Sequence, residues 1–213
     1  MKRPRILLAD DHRMVAEGLR GILEEEFELV GIVEDGRALL EAADELRPDV
    51  IVADITMPHL NGLDALPTLR KKHPHTKVVF LTQHQEAAYA RRALEAGASG
   101  FVVKHAAPSE LVMAIRAALV DDVFVSPALA GEVLRSIRRS PGEAEDPAAI
   151  LTPRQREVLQ LLAEGKSAKE VAADLNISPR TVEFHKYQMM ETLEIRTSAE
   201  LVYFAVKHGL VAT

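Results

Sequence analysis

Five short apolar runs, each followed by a stretch with helical spacing, fill residues 5–120 and leave few folds open. The runs are Arg5–Asp10, Phe27–Val33, Val50–Ala53, Lys77–Thr82 and Phe101–Lys104. Short runs of Val, Ile, Leu and Phe bounded by turn residues are the pattern of strands buried on both faces of a parallel sheet. Between and after them lie Asp11–Glu26, Gly36–Leu46, Asn61–Lys72, Glu86–Ala96 and Pro108–Val120. The first of these sets Val15, Leu19, Ile22 and Leu23 on one helical face. The second and third stop ahead of Pro48 and Pro74, and Gly97 caps the fourth. This alternation predicts an α/β domain with a five-stranded, doubly wound parallel sheet. Right-handed crossovers favour the order 2-1-3-4-5, with its switch point between strands 1 and 3. Ligands bind there, outside the carboxyl ends of the strands.

Those two strand ends carry the charges. Strand 1 runs into Asp10-Asp11, and VIVADITMPHLNG runs from strand 3 into Asp54. A buried strand cannot hold a charge in its middle, so Asp54 belongs at the strand end. Alone, such a residue reads as readily as a helix cap or loop carboxylate. Three carboxylates at one sheet edge repel, however, and need a cation to stay ionised together. Hard oxygen ligands with open positions suit Mg²⁺. Thr82 ends strand 4 with a hydroxyl, and Lys104 ends strand 5 with a point positive charge suited to phosphate oxygens. A carboxylate nucleophile, a metal, a lysine and a hydroxyl are what phosphoryl transfer to an aspartate requires. His12, His59, His84 and His105 fall on loops at the same edge. They read as solvated surface histidines in preference to a transition-metal site.

After Val120 the alternation stops. Ser126-Pro127 opens a helix, an N-cap followed by proline at the first position. Its narrow stripe of Leu129, Val133 and Ile137 is expected to pack on the first domain. The stretch from Arg138 to Pro147, rich in Pro, Gly and charge, reads as a flexible linker. From Ile150 onward every signal is helical. Thr152-Pro153-Arg154-Gln155 is a capping box with proline at its first helical position. A short helix over Ala168–Leu175, the turn Asn176-Ile177-Ser178 and a helix from Pro179 to about Leu193 follow. Thr197–Glu200 is a further capping box, opening a last helix that Gly209 closes. Two helices joined by a tight turn and flanked by supporting helices form a helix-turn-helix. The chain thus divides into 1–121, a linker helix and linker over 122–147, and a small all-α domain over 148–213.

On the helix from Pro179, Val182, Met189 and Leu193 make an inward stripe with His185 beside it. Arg180, Glu183, Phe184 and Tyr187 make the opposite stripe at i, i+3, i+4 and i+7. Exposed Phe and Tyr imply contact with something, whether nucleic acid or protein. In a major groove Arg can read guanine, Glu can accept from cytosine and Phe can touch a thymine methyl. Ser178 and Thr181 begin this helix, and Lys169, Lys186 and Arg196 suit phosphate contacts. Charge agrees only partly. Residues 150–213 hold eight basic and eight acidic residues, so the net −6 resides in the first 149 residues. The acidic part is unfit to bind nucleic acid alone. There is no cysteine, which excludes disulfides and thiolate metal sites. No apolar run approaches a membrane span and no signal-peptide pattern opens the chain, so a soluble, cytoplasmic protein with no membrane partner is expected.

The Asp10-Asp11 pair, Asp54-x-x-Met57-Pro58, Thr82 after an apolar strand and Phe101-x-x-Lys104 together resemble the receiver domain of two-component response regulators. LTPRQREVLQLLAEGKSAKEVAADLNISPRTVEFHKYQMMETLEI resembles the LuxR-type helix-turn-helix, so nearly the whole chain is similar to response regulators of the NarL/FixJ type. The resemblance implies a flavodoxin-like receiver phosphorylated on Asp54 by a histidine kinase. It places Asp11, Asp54 and the Thr56 carbonyl on Mg²⁺, with Asp10 holding a metal-bound water. It implies that Thr82 moves toward the phosphate and Phe101 turns inward. It further implies double-stranded DNA as partner and a homodimer of the phosphorylated form. Thr56 and His84 stand at positions that tune phosphate lifetime in the family. Departures are His105 where many receivers have a cis proline, and Glu183, Thr192 and Glu194 where many relatives carry basic residues or glycine. Two other readings stay open: an aspartate-nucleophile phosphatase and a phosphorylation-independent adaptor. Against the first, Asp54-Ile55-Thr56 has no second carboxylate two residues on to act as general acid.

Overall fold

A computed structural model describes residues 2–83, 87–106, 108–138 and 147–211. The strands are β1 (Arg5–Ala9), β2 (Glu28–Val33), β3 (Val50–Ala53), β4 (Lys77–Thr82), β5 (Gly100–Val103) and β6 (Phe124–Val125). All pair in parallel in the order β2-β1-β3-β4-β5-β6. The predicted sheet is therefore correct in class and order, but it has six strands where five were expected. The sixth is the short Phe124–Val125 segment, whose register pairs Gly100 with Phe124 and Phe101 with Val125. Its two residues are too few to show any period; the free edge of β5 supplies the partner.

The helices that cover the sheet are α1 (Arg13–Glu26), α2 (Gly36–Leu46), α3 (Gly62–Lys72), α4 (Ala87–Glu95), α5 (Pro108–Leu119) and α6 (Pro127–Arg138). Alternate strand residues point to opposite faces, and each face has its own core. Ile6, Leu8, Val50, Val52, Val79 and Val102 pack with Leu23 of α1 and Leu111 and Ile115 of α5. Leu7, Ile51, Phe80 and Phe101 pack with Leu39 of α2, Leu66 of α3 and Tyr89 of α4. Leu129 and Val133 of α6 join that second core, as their spacing predicts. Residues 122–138 thus add a sixth strand–helix unit to the parallel sheet. Most of the predicted flexible linker, and His84, lie outside the described residues.

The C-terminal domain begins with a 3-10 turn (Pro147–Ile150) and continues as α7 (Pro153–Ala163), α8 (Ala168–Leu175), α9 (Pro179–Thr192) and α10 (Ser198–Lys207). The capping boxes at Thr152/Gln155 and Thr197/Glu200 form as predicted. Ser167/Glu170 makes a third at the start of α8. Val158, Leu159, Val171, Val182, Met189, Leu201 and Ala205 close a separate core.

Two glycines admit the close approaches that shape the loop from β3 to α3. A Cβ on Gly36 would lie 1.9 Å from the Leu60 carbonyl oxygen, and one on Gly62 would lie 2.3 Å from that of Asp54. Backbone must shift to admit either. Gly62→Ala is expected to cost on the order of 1–3 kcal/mol of stability, read as a lowered urea midpoint. An unchanged midpoint would contradict this packing.

Candidate functional site

The switch point of the sheet brings together residues far apart in sequence. Asp10 follows β1, Asp54 follows β3, Thr82 ends β4 and Lys104 follows β5. Backbone hydrogen bonds fix the strand ends: Asp54 N–H donates to the Ala9 carbonyl at 2.8 Å, and Lys104 N–H to the Thr82 carbonyl at 2.7 Å. The Lys104 ammonium lies 2.6 Å from Asp54 Oδ2 and 2.7 Å from Asp10 Oδ2. Asp54 Oδ1 accepts from Ile55 N–H at 2.6 Å, and Asp10 Oδ1 from His12 N–H at 2.9 Å. Asp10, Asp54 and Thr82 are all buried. Among the described residues no peptide bond is cis, that after Lys104 included.

Asp10, Asp11, His12 and Asp54 each offer one ligand atom within 4.8 Å of the others, the one such cluster among the described residues. Buried Asp10 Oδ2 and Asp11 Oδ1 each face a nitrogen of a basic side chain and no other donor. Their charge partners are Lys104 and, for Asp11, the His12 Nδ1 at 2.8 Å. Hard carboxylate oxygens that converge this closely are what a divalent cation supplied with further water would satisfy. The histidine reading needs refinement. His12 is half-exposed yet sits against Asp10 and Asp11, while His59 turns away to face Glu164 at 3.7 Å.

Burial pushes the Asp54 carboxyl up; the Lys104 ammonium opposes this, and the Asp10 charge adds to the rise. Burial works against the Lys104 charge too, but Asp54 and Asp10 outweigh it and hold the ammonium above its ordinary value. The folded chain therefore holds the Asp54 proton more tightly than the unfolded chain does. Stability from this group falls as pH rises from the ordinary carboxylate range through the raised value. Asp54→Asn removes that slope. Across this window the wild-type urea midpoint is expected to fall relative to the variant as pH rises. Parallel curves for the two chains would contradict the placement of Asp54.

Phe101 is fully buried in the core shared with Tyr89, Leu129 and Val133, so its ring already faces inward. Ser126, the residue before α6, is tied to the same strand. Its Oγ accepts from Val103 N–H at 3.2 Å and donates to Glu110 at 2.6 Å. The strand that carries Phe101 and leads to Lys104 is thereby bonded to the start of the linker helix. Sequence reasoning took Ser126 for a helix cap and missed this role.

On α9 the predicted faces hold. Val182 and Met189 are fully buried. Arg180 is exposed, and Phe184 and Tyr187 are 57% and 64% exposed. Ser178 caps the helix by accepting from Thr181 N–H. Lys186 stands 3.8 Å from Glu183, which offsets part of that carboxylate's charge. Lys169 and Arg196 are exposed on the same domain.

The two domains are docked, and here sequence reasoning had no signal to use. The Gln160 carboxamide of α7 donates to the Met57 carbonyl at 2.7 Å and accepts from Asn61 N–H at 2.8 Å. Glu164 accepts from His59 N–H at 2.8 Å. The Gly209 carbonyl accepts from Thr56 Oγ1 at 3.2 Å and Asn61 Nδ2 at 3.1 Å. Arg156 of α7 and Arg92 of α4 both hold Asp64 of α3, at 2.7 and 3.0 Å.

A parallel sheet with a carboxylate trio, a hydroxyl and a lysine at its switch point, joined to a helix-turn-helix, is the architecture of a receiver coupled to a DNA-reading module. Comparison with known proteins agrees. Residues 6–116 match the response regulator receiver domain and residues 149–205 the luxR family of bacterial regulatory proteins. The chain is 33% identical over 210 residues to the response regulator GacA of Pseudomonas viridiflava, covering 97% of each. It is 32% identical to UvrY of Escherichia coli K12, covering 96% of this chain and 94% of that one. It is also similar to the structure of RcsB from Salmonella enterica serovar Typhimurium bound to promoter P1flhDC with the phosphomimetic BeF₃⁻. There the TM-score is 0.67 and the identity 27%, over 97% of this chain and all of that one. The chain belongs to the response regulators of the NarL/FixJ type, DNA-binding transcription regulators rather than enzymes. No described helix is long and apolar enough to cross a membrane.

Proposed function

We propose that this chain is a phosphorylation-switched transcription regulator acting in the cytoplasm, with Asp54 accepting the phosphoryl group from a histidine kinase. The observation that carries this reading is the Asp54 carboxylate, held 2.6 Å from Lys104 in a cluster whose Asp10, Asp11 and Asp54 ligand oxygens lie within 4.8 Å of one another. Asp11, Asp54 and the Thr56 carbonyl would hold Mg²⁺, with Asp10 on a water of the same site. When bound, the ion neutralises the three carboxylates and the incoming phosphoryl oxygens. Lys104 supplies a fixed positive charge, and the Thr82 hydroxyl donates to a phosphoryl oxygen. The phosphoryl group adds about −1.5 to −2 charge. That charge competes for Lys104 and draws Thr82 toward it, with Phe101 and the face of α4, β5 and α5 as the responding element.

On the output side, Arg180, Glu183, Phe184 and Tyr187 would meet base edges of double-stranded DNA, with Ser178, Thr181, Lys169, Lys186 and Arg196 toward phosphates. Pairing of two chains after phosphorylation sets two such helices one DNA turn apart, and effective concentration then raises affinity. The dimeric, DNA-bound RcsB relatives support this assignment. Selection of genomic fragments by the full chain, with and without acetyl phosphate and Mg²⁺, tests it. Enrichment of paired half-sites one helical turn apart is expected, stronger with acetyl phosphate. Recovery without sequence preference would refute the reading.

A further inference from the structure

The two-residue β6 leaves the parallel ladder beside β5 short, and a side chain completes it. Ser126 N–H still donates to the Phe101 carbonyl at 2.9 Å. The next rung would take Val103 N–H to the Ser126 carbonyl. That carbonyl is already committed, accepting from Leu129 and Ala130 N–H at 2.8 and 3.1 Å in the first turn of α6. The Ser126 hydroxyl stands in for it and accepts from Val103 N–H at 3.2 Å. The hydroxyl proton goes on to Glu110, in the first turn of α5, at 2.6 Å. Ser126 is fully buried, so loss of its hydroxyl would leave the Val103 N–H unsatisfied.

Val103 immediately precedes Lys104, whose ammonium bridges Asp10 and Asp54 at 2.7 and 2.6 Å. On the other side of the strand, Lys104 N–H donates to the Thr82 carbonyl at 2.7 Å. The backbone at the root of the lysine is thus held from both sides, by β4 and by Ser126. A chain from N–H through hydroxyl to carboxylate is stronger than its separate bonds, because each polarises the next. The carboxylate that ends the chain sits at a helix N-terminus, where the macrodipole favours its charge. We infer that Ser126 is a positioning residue for phosphoryl acceptance: through Val103 it fixes the root of Lys104, and hence where the ammonium meets the phosphoryl oxygens at Asp54. In that step an Asp54 oxygen bonds to phosphorus as the bond from phosphorus to the leaving group breaks. The electron pair departs with that group, and Lys104 keeps its protons throughout. Its charge helps only if it already stands where negative charge gathers. The residues assigned to Mg²⁺ follow β1 and β3, so the chain through Ser126 acts on the lysine and not on the ion.

The inference rests on Asp54 being the phosphoacceptor, and the test separates the two. Initial rates of labelling of the full-length chain by acetyl phosphate are read on a phosphate-affinity gel over a Mg²⁺ series. Ser126→Ala is expected to lower the rate at saturating Mg²⁺ by about tenfold, as small displacements of a group that meets the reacting atoms do. The Mg²⁺ concentration for half-maximal labelling is expected to stay at its wild-type value, whereas a general loosening of the site would move both. Glu110→Ala is expected to lower the rate in the same sense and by less. The double variant Ser126→Ala/Glu110→Ala is expected to be no slower than Ser126→Ala, because both residues act through one chain. Glu110 is half-buried on α5, so its variant gives an answer even where Ser126→Ala does not fold. A wild-type rate in either single variant, a Mg²⁺ midpoint that shifts with the rate, or losses that add in full would overturn the positioning role. No label on the wild type would sink the phosphoacceptor assignment and this inference with it.

Discussion

Asp54→Asn is expected to abolish phosphate incorporation from acetyl phosphate and, with it, every phosphate-dependent gain in DNA affinity. Asparagine keeps the size of the side chain and can still accept from Ile55 N–H through its oxygen, so the loop has no steric reason to move. What disappears is the nucleophile and one of the two carboxylates around Lys104. Asp10 remains and keeps Lys104 compensated, so the variant should fold. Lys104→Met is the harsher change. It leaves Asp10 and Asp54 facing each other in a buried site with no cation, and an uncompensated buried charge is strongly destabilising. Mass spectrometry of acetyl phosphate-treated chains reads the first result, one added phosphate on wild type and none on Asp54→Asn. Labelling of the variant at another carboxylate would move the site elsewhere.

The second large effect concerns α9. Arg180→Ala should weaken binding to a selected operator by about 1–3 kcal/mol, roughly 5- to 150-fold, and relax preference at one base pair. The residue is exposed in the first turn of the helix, where base edges are read. Lys169→Ala should behave differently. A phosphate contact carries no sequence information, so its loss lowers affinity for all sequences alike and reduces the salt slope by about one. Fluorescence anisotropy over a salt series separates the two. Equal, sequence-independent losses for both variants would contradict the division of labour drawn across this helix.

The fold was legible because its signals are local. Each apolar strand run and each capping box is written within a few residues, and Asp10, Asp54, Thr82 and Lys104 sit at strand ends that the topology must gather. The α9 faces were legible for the same reason, since two residues, about half a turn, separate Val182 from Arg180 and Phe184 and Met189 from Tyr187. The sixth strand was not, because Phe124–Val125 has no period of its own and exists only by pairing with β5. The interdomain contact was the least legible part. Gln160, Asn61 and Gly209 look like ordinary helix, cap and turn residues, and the bonds between them span about a hundred residues or more. Nothing in local spacing announces such a bond. His12 lies at the predicted edge, but its approach to Asp11 depends on how the turn after β1 closes, which local spacing does not show.

The central claim is that phosphate on Asp54 governs DNA binding, and one measurement tests it most directly. Operator affinity is determined by fluorescence anisotropy for the full-length wild type and Asp54→Asn, each with and without acetyl phosphate and Mg²⁺, alongside oligomeric state by sedimentation. The account predicts tighter binding and dimer formation for phosphorylated wild type alone, with the other three samples alike. An equal response of Asp54→Asn to acetyl phosphate, or an affinity of the wild type that phosphorylation leaves unchanged, would contradict it.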